Sequence, residues 1–379
     1  MQPLTAIAAA CHANPYPYYK RLLAGPDLVF DTGLQLWIAS RAAVIRDIMS
    51  NPDCVVRPAS QPVPDAIAGS SAGAVFSRLA RMNEGLAHEV PKRALSELLA
   101  ALDHGAVARR TRQLAPMLGS LDGAALTRWM FDLPTCVVAD MLGVDGAELP
   151  QVAHWVADFV RCLSPLSTPG QLASASDAAQ ALMERFASLP ASAMLHNASA
   201  LGREVVVANL IGLLSQTHDA TAGLVGNSIA ALLTQPQLQA RLRADPGLAG
   251  AFVREVARYD PAIQNTRRFV TRATTVAGVL LQPGDTLLLL LGAAARDTDA
   301  NPQADVFLLD RDQRQQSGFG FGRHACPGQE LAFTIATGAI QHLLALAHPL
   351  DAAALCWSYA PSANARLPRF STAPPKGQP

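Results

Sequence analysis

The chain has 379 residues, half of them apolar and 16% charged, and its 30 basic residues balance 30 acidic ones. This length supports a buried core without disulfide staples. The charge balance excludes a globally basic nucleic-acid-binding protein and an acidic disordered tail. Aromatic residues make up only 6% of the chain, too few for a base-stacking surface to be the first interpretation.

The cysteines and the N-terminus indicate a reduced, cytoplasmic protein. The six cysteines are scattered and form no CxxC pair, so a structural zinc site or a thioredoxin-type site is not expected. No positive charge precedes Lys20 and no long apolar run follows the first residue, so we predict no secretory signal. No run of roughly 18 apolar residues occurs, so we expect no membrane span.

In chain order, the first half predicts one β-hairpin and then mostly helices. Residues 28–38 alternate around Thr32-Gly33 and predict the hairpin. Ser40 is expected to cap a helix over 41–50, which stops at Asn51-Pro52. The proline-rich residues 57–75 predict a long irregular loop. Further along we predict helices over 84–102, 124–144 and 151–163, a loop over 164–176, and a helix ending near residue 188 before a Pro-Ala-Ser turn.

The second half predicts one very long helix, a few strands and a final helix. Residues 202–233 form an apolar helical pattern that would be close to 45 Å long. A helix over 247–259 follows, then strands over 274–281 and over the apolar run 287–295. An irregular stretch over 297–317 precedes a last helix near Gly328. With no repeats and no linker, residues 1–379 are expected to form a single domain, mostly α with a small β portion.

The strongest indication of a functional site is the stretch Phe319–Gly328, whose sequence is FGFGRHACPG. Cys326 lies in a glycine-punctuated loop directly before a helix, whose N–H groups favour a thiolate. The glycines let the backbone approach something flat and close. Arg323 and His324 add positive charge beside an anion. A thiolate with a flat, anionic neighbour indicates a haem held by an axial cysteine, the alternative being a buried structural cysteine in a turn.

This stretch resembles the cysteine loop of bacterial cytochromes P450, Phe-Gly-x-Gly-x-His-x-Cys-x-Gly. Every fixed position is matched, namely Phe319, Gly320, Gly322, His324, Cys326 and Gly328. In that family the thiolate ligand pushes electron density toward O–O cleavage. The resemblance implies the cytochrome P450 fold, with haem b between the long central helix and the cysteine loop. It also implies Cys326 as the iron ligand, with Phe319, Gly320, His324 and Gly328 beside the cofactor.

Other stretches resemble the family in the expected order. Glu255 and Arg258 match its Glu-x-x-Arg, which alone would be an ordinary surface pair. The family's third member, an arginine, is replaced here by Val306. That arm is therefore either missing or supplied elsewhere, and Arg311 is the candidate.

Three basic positions are implied to hold the haem propionates beside His324. Arg268 matches the segment whose last arginine reaches a propionate, with Arg267 as a substitute. His88 and Lys92 match a His-x-x-x-Arg pattern whose spacing puts both on one helix face. Lysine keeps the charge of arginine but loses its bidentate fork. The alternative for His88 is an ordinary surface histidine.

The long helix departs from the family. Its usual Ala-Gly-x-Asp/Glu-Thr, with the threonine on the oxygen side of the haem, is here the stretch Gln216–Thr221, QTHDAT. Asp219 supplies the acid, Ala220 stands at the alcohol position, and Gln216 lies four residues earlier on the same face. In an alternative alignment shifted by one, Thr221 supplies the alcohol. These four residues are the catalytic candidates.

The resemblance implies a haem-thiolate oxidase or monooxygenase acting on a small or medium organic molecule, in specialised metabolism or catabolism. Electrons would come from a separate ferredoxin and ferredoxin reductase, docking near Arg109, Arg110, Arg112 and Arg323, or peroxide would replace them. Peroxide-driven oxidation, rearrangement, dehydration, coupling, or a non-enzymatic haem-thiolate sensor are the alternatives. We expect neither nucleic acid nor membrane as a partner.

A Gly-x-Ser-x-Gly match over 69–73 lacks the strand that a hydrolase elbow needs before it.

Overall fold

The computed structural model describes residues 3–58, 60–119, 122–189 and 201–372. Within these residues helices dominate and the strands are short. The helices are α1 Tyr16–Leu23, α2 Ala42–Ser50, α3 Ser71–Arg78, α4 Leu86–Ala100, α5 His104–Leu114, α6 Gly123–Met141, α7 Leu149–Phe159, α8 Pro169–Ala187, α9 Arg203–Thr234, α10 Pro236–Ala244, α11 Ala249–Tyr259, α12 Leu291–Ala294 and α13 Gln329–Ala345. The strands are β1 Leu28–Asp31, β2 Leu36–Ala39, β3 Cys54–Val55, β4 Thr266–Val270, β5 Thr274–Val276, β6 Val279–Leu281, β7 Thr286–Leu289, β8 Leu355–Tyr359 and β9 Pro368–Thr372.

The long apolar helix is confirmed as α9 and forms the centre of the molecule. It has 32 residues and ends where Gln235 leaves the helical region before Pro236, a residue that cannot continue a helix. Almost every position from Val206 to Ala230 is buried. It is covered by α6, α8, α11 and α13, among others, which explains why its sequence shows no polar face.

The β portion is mainly one five-stranded sheet with the order β1-β2-β7-β4-β3. The predicted hairpin is confirmed as β1 and β2, paired antiparallel with Leu28 opposite Ala39. β7 lies in the middle of the sheet, parallel to β2 and antiparallel to β4. The apolar run 287–295 is only partly a strand, because β7 ends at Leu289 and α12 begins at Leu291.

Three sequence predictions about helix starts are wrong. The predicted irregular loop over 57–75 contains the start of α3 at Ser71, which Ser70 caps by accepting from the Gly73 N–H. Ser40 does not cap α2: its N-cap is Arg41, and the Ala42 N–H donates to Asp297 Oδ2 at 2.9 Å. The predicted loop over 164–176 contains the start of α8 at Pro169, which Thr168 and Gln171 close with a capping box. Serine, threonine and proline favour both loops and helix starts, so composition alone misplaced this boundary. The Pro-Ala-Ser turn over 190–192 lies outside the described residues.

A buried ion cluster fixes the irregular chain that leads to the cysteine loop. Glu255 on α11 is fully buried and accepts hydrogen bonds from Arg258 at 2.6 Å, Arg311 at 3.3 Å and Arg314 at 3.1 Å. Burial alone would raise the pKa of Glu255, but the hydrogen bonds of Arg258 and the Leu308 N–H outweigh it and lower the pKa. The candidate third arm, Arg311, is thus confirmed, and Arg314 joins it.

Within the part of the chain that the structure describes, no helix has both the length and the apolarity needed to cross a membrane.

Candidate active site

The cysteine loop is shaped by two glycines in the left-handed region. Gly320 has φ of 70° and Gly322 has φ of 64°, conformations that residues with a Cβ rarely adopt. They let the chain fold back so that the Cys326 N–H donates to the Phe319 carbonyl at 2.8 Å. Gly328 then leads directly into α13. The loop therefore holds the backbone on both sides of Cys326.

The Cys326 side chain is both accessible and desolvated. The residue is exposed to solvent, yet protein surrounds it closely enough that burial raises the pKa of its thiol, opposed by the Gly328 N–H and the charge of Lys92. Exposure combined with desolvation describes a side chain in the wall of a cleft. The expectation that the helix start favours the thiolate holds in direction, but burial outweighs it. A bound metal cation would therefore complete the stabilisation of the thiolate.

Glu84, which sequence reasoning missed, binds two side chains of the cysteine loop. Its Oε2 lies 3.0 Å from Arg323 Nε and 3.1 Å from His324 Nε2, and its Oε1 accepts from the Val56 N–H. Burial would raise the pKa of Glu84, but the hydrogen bond and charge of His324, together with Val56 and Arg323, lower it to about 2. A single glutamate before a helix has no sequence signature for this role.

Arg268 is a buried cation for which the described part of the chain offers no anionic partner. Its residue is 4% exposed, its Nη1 donates to the neighbouring Arg267 carbonyl, and within the described residues its Nε has no hydrogen-bond partner. Burial lowers its pKa to about 10. Such a group is costly unless an anion pairs with it. An accessible cysteine thiol at the start of a helix and a buried guanidinium near the same loop fit a haem and one of its propionates.

His88 and Lys92 lie on one face of α4, as their spacing predicts, and both contact the backbone of the cysteine loop. The His88 ring lies between the Ala80 carbonyl, 2.8 Å from Nδ1, and the Arg323 carbonyl, 3.0 Å from Nε2. The Lys92 Nζ donates to the Ala325 carbonyl. The ring of His88 also lies 4.0 Å from that of His324. In this arrangement His88 and Lys92 hold the cysteine loop against α4. Their contact with haem propionates stays a prediction.

The centre of α9 is less buried along one stripe than on its other sides. Between Val206 and Ala230, the positions that are not buried are Leu213, Gln216, Asp219 and Ala220. Their spacing places them on a single helix face. We call them the α9 stripe. Three of the four catalytic candidates thus share a face, whereas Thr221 is only 3% exposed and lies on another side of the helix.

Polar contacts distinguish the members of the stripe. The Gln216 Nε2 donates to the Gly212 carbonyl at 2.8 Å. The Asp219 Oδ1 lies 3.0 Å from His218 Nδ1, and the His218 ring stacks on Phe131. Ala220 offers only a methyl group. The acid of this stretch is therefore paired with a histidine that sequence reasoning did not select.

A cavity of about 300 Å³ adjoins the stripe at Asp219. It lies between α6, the end of α7, and the turn that joins β8 to β9, and its charged lining includes Arg128, Asp132 and Arg161. Burial raises the pKa of Asp132, and the charge of His218 opposes the rise. Asp219 of the α9 stripe and the adjacent His218 therefore both line this cavity.

Comparison with known proteins gives consistent matches. The family model for cytochrome P450 matches residues 247–345. Cytochrome P450 144 of Mycobacterium tuberculosis is 30% identical over 359 residues, 86% of this chain and 81% of that protein. The biotin biosynthesis cytochrome P450 of Bacillus subtilis is 29% identical over 249 residues, 62% of this chain and 63% of that protein, so this match spans less than two thirds of either.

Solved structures share the fold. P450BioI, in complex with an acyl carrier protein ligated to hexadec-9Z-enoic acid, has a TM-score of 0.81 at 24% identity, covering 94% of this chain and 97% of that one. CalO2 has a TM-score of 0.79 at 23% identity, covering 95% and 96%. At these identities the likeness establishes the fold of the chain.

Proposed function

Since this chain belongs to the cytochrome P450 family, in which its relatives are oxidoreductases, we propose that it is a haem-thiolate monooxygenase with an atypical oxygen-activation site. Its substrate would be a small or medium organic molecule, and its electrons would come from a separate ferredoxin and ferredoxin reductase. One observation carries the proposal: the exposed but desolvated Cys326 thiol lies in the glycine-shaped loop, and the buried Arg268 guanidinium, on which the charge of Arg323 in that loop acts, has no anionic partner among the described residues.

The donor set fits haem b. The Cys326 thiolate would bind the iron, and Arg268 would pair with a propionate, supported by His324 and, through the loop, by His88 and Lys92. Phe319, Gly320 and Gly328 shape the loop around the sulfur. When bound, the haem would supply activation of dioxygen with two electrons.

The residues of α9 would manage protons without the usual alcohol. A well-placed proton donor contributes about 10²–10⁴-fold in rate, and Ala220 has no donor. Asp219 with His218 can hold a proton at the Oδ1···Nδ1 contact and exchange it with the adjoining polar cavity. The Gln216 Oε1 can accept a hydrogen bond from a substrate or from an ordered water. We therefore favour a substrate- or water-assisted oxidation, and peroxide-driven oxidation, rearrangement, dehydration or coupling as the second candidate.

The ligation is tested by the absorption band of the reduced carbon monoxide complex. We expect the red-shifted band of a thiolate-ligated haem in the wild type and its loss in Cys326→His, because a neutral histidine donates less strongly to iron. Cys356→Ser, which changes an exposed cysteine on β8, serves as the control and keeps the band. A wild type that bound haem without this band would defeat the proposal.

The proton route is tested by the product formed per reducing equivalent with the true substrate. We compare the wild type with Ala220→Thr, Gln216→Ala and Asp219→Asn. A well-coupled wild type that loses coupling in Gln216→Ala and Asp219→Asn supports the atypical site. If Ala220→Thr greatly improves coupling, the site is an impaired ordinary relay. If product forms from peroxide alone at the same rate, the second candidate replaces the first.

We propose a narrower docking face for the electron donor than the four arginines named from the sequence. Arg110 makes a two-pronged pair with Asp140, Arg109 pairs with Asp103, and Arg323 pairs with Glu84. Arg112 on α5 is exposed and is the stronger candidate for contact with an acidic ferredoxin. Charge reversal in Arg112→Glu is expected to slow reduction by ferredoxin and to increase its dependence on salt. An unchanged reduction rate would remove this face.

A further inference from the structure

The cavity of about 300 Å³ beside Asp219 has an apolar floor. Phe131 on α6 packs against the buried Ala360 and Leu367, which flank the turn between β8 and β9, and all three residues line the cavity. The Phe131 ring also stacks on the His218 ring of α9, with 4.8 Å between the ring centroids. The floor is therefore formed where α6, α9 and the β8–β9 hairpin meet, and it suits an apolar group.

Three arginines line the same cavity from separate elements: Arg128 on α6, Arg161 after α7 and Arg369 on β9. Two of them are brought together by backbone contacts, because the Phe370 N–H donates to Thr127 Oγ1 at 2.8 Å. Arg161 belongs to the turn that continues α7. All three arginines are exposed, whereas the floor is not, so they lie on the solvent side of the cavity.

The cavity has an excess of positive charge. In the part of the chain that the structure describes, the side chains of Arg128, Arg161 and Arg369 have no hydrogen bond and no ion pair. Two carboxylates also line the cavity. Asp219 already contacts His218. Asp132, on α6, is half-buried and lacks a hydrogen bond or ion pair within the same described ranges. Three cations thus face one unpaired carboxylate.

The cavity adjoins the α9 stripe at one position. Among the described residues, its lining includes Asp219 but not Leu213, Gln216 or Ala220, and it includes no residue of the stretch Phe319–Gly328. A molecule bound in this cavity would therefore lie beside the Asp219 side of α9 and would not touch the cysteine loop.

We propose that this cavity is a binding site for an amphipathic organic acid, separate from the haem site of the proposed function. The apolar body would cover Phe131 and Leu367, and the carboxylate would pair with the three arginines on the solvent side. Arginine suits this role because its planar fork matches a carboxylate with two parallel hydrogen bonds. One carboxylate would also offset part of the excess positive charge.

The test is a calorimetric titration of the purified, haem-loaded protein with octanoate. Octanol offers the same body without the charge, and acetate offers the charge without the body. We expect octanoate to bind about tenfold more tightly than octanol, the size of one charge-assisted pair, and more tightly than acetate. Arg128→Gln, Arg161→Gln and Arg369→Gln should each weaken octanoate binding but not octanol binding. Arg241→Gln, which changes an exposed arginine on α10, is the matched control.

A second titration decides where the acid binds. Phenylimidazole is first bound to the haem iron, where its ring fills the space on the substrate side, and the octanoate titration is then repeated. An unchanged affinity for octanoate supports a separate cavity. A loss of octanoate binding would place the acid in the haem site and overturn the proposal.

The remaining outcomes separate this inference from the proposed function. Equal binding of octanoate and octanol, or unchanged octanoate binding in all three arginine variants, would overturn the acid site. Octanoate that bound no better than acetate would exclude a role for the apolar floor and would also overturn it. A wild type that bound octanoate but lacked the thiolate band would overturn the proposed function and leave this site standing. A normal thiolate band without octanoate binding would do the reverse.

Discussion

At the scale of single residues, Glu84 shows how one carboxylate can secure a cofactor loop. Its folded pKa of about 2 lies below the usual 4.5, so its ionised form stabilises the folded state. That contribution is fully present above the usual pKa and is lost as pH falls from about 4.5 toward about 2. The side chain is 29% exposed, which reduces the effect through solvent screening.

Replacing this carboxylate is expected to give a pH-dependent loss of stability. Glu84→Gln removes the charge that faces Arg323 and His324 and should lower the free energy of unfolding by about 1–3 kcal/mol at neutral pH. The difference from the wild type should shrink as pH falls below about 4.5. Urea denaturation across this range measures it. Glu148→Gln, which breaks a more exposed pair with Arg185, is the control and should cost little. A difference that stayed constant with pH would contradict the assignment.

At the scale of elements, glycines on α9 allow neighbouring segments to pack closely against this helix. A Cβ on Gly223 would lie 2.7 Å from the Ala262 Cβ and 3.2 Å from the Arg366 carbonyl oxygen. Neither neighbour is a flexible side-chain end, so the helix or the segment beside it would have to move. The close contact brings the segment 262–266 and the chain before β9 against the same helix that carries the α9 stripe.

A methyl group at this contact is expected to destabilise the protein. Gly223→Ala should cost about 1–3 kcal/mol through overpacking, reduced by the better helix propensity of alanine, about 1 kcal/mol. Gly250→Ala on α11 is the matched control, because nothing lies within 4 Å of its added Cβ, and it should be neutral or stabilising. Denaturant unfolding of both variants decides the matter. Equal stability of the two variants would show that α9 can shift at no cost.

Sequence reasoning succeeded where the signal is local. The long apolar period of α9 and the glycine-spaced cysteine loop are each readable within one segment. It failed where a distant group supplies the partner: Asp297 caps α2 in place of Ser40, and Glu84 pairs with Arg323. The pairing of Asp219 with His218 was also missed, because a sequence does not tell which way an adjacent ring turns.

At the scale of the whole molecule, the buried Arg268 is expected to couple folding to haem binding. Haem that binds only the folded state should raise the free energy of unfolding by mass action, and pairing with a propionate would relieve the desolvated Arg268. Removing haem is therefore expected to lower the melting temperature. The loss should be smaller in Arg268→Gln, whose haem binds more weakly to begin with.

Arg267→Gln is the matched control for this effect, because it alters the neighbouring arginine on β4. Thermal unfolding of haem-loaded and haem-free forms of the wild type and both variants measures the coupling. If Arg267→Gln reduced the haem-dependent stabilisation and Arg268→Gln did not, the propionate contact would belong to Arg267. If the wild type and both variants showed the same haem-dependent stabilisation, neither arginine of β4 would contact the haem.

The position of β7 in the middle of the main sheet also has a kinetic meaning. Its partner β2 pairs Trp37 with Leu287, so about three quarters of the 379-residue chain must leave the ribosome before this pair can form. Until then the edge of β2 is open to other chains, a state prone to association. We expect stalled nascent chains that end before Thr286 to leave the β1–β2 hairpin sensitive to proteases, and chains that extend past β7 to protect it, so that the sheet closes late in synthesis.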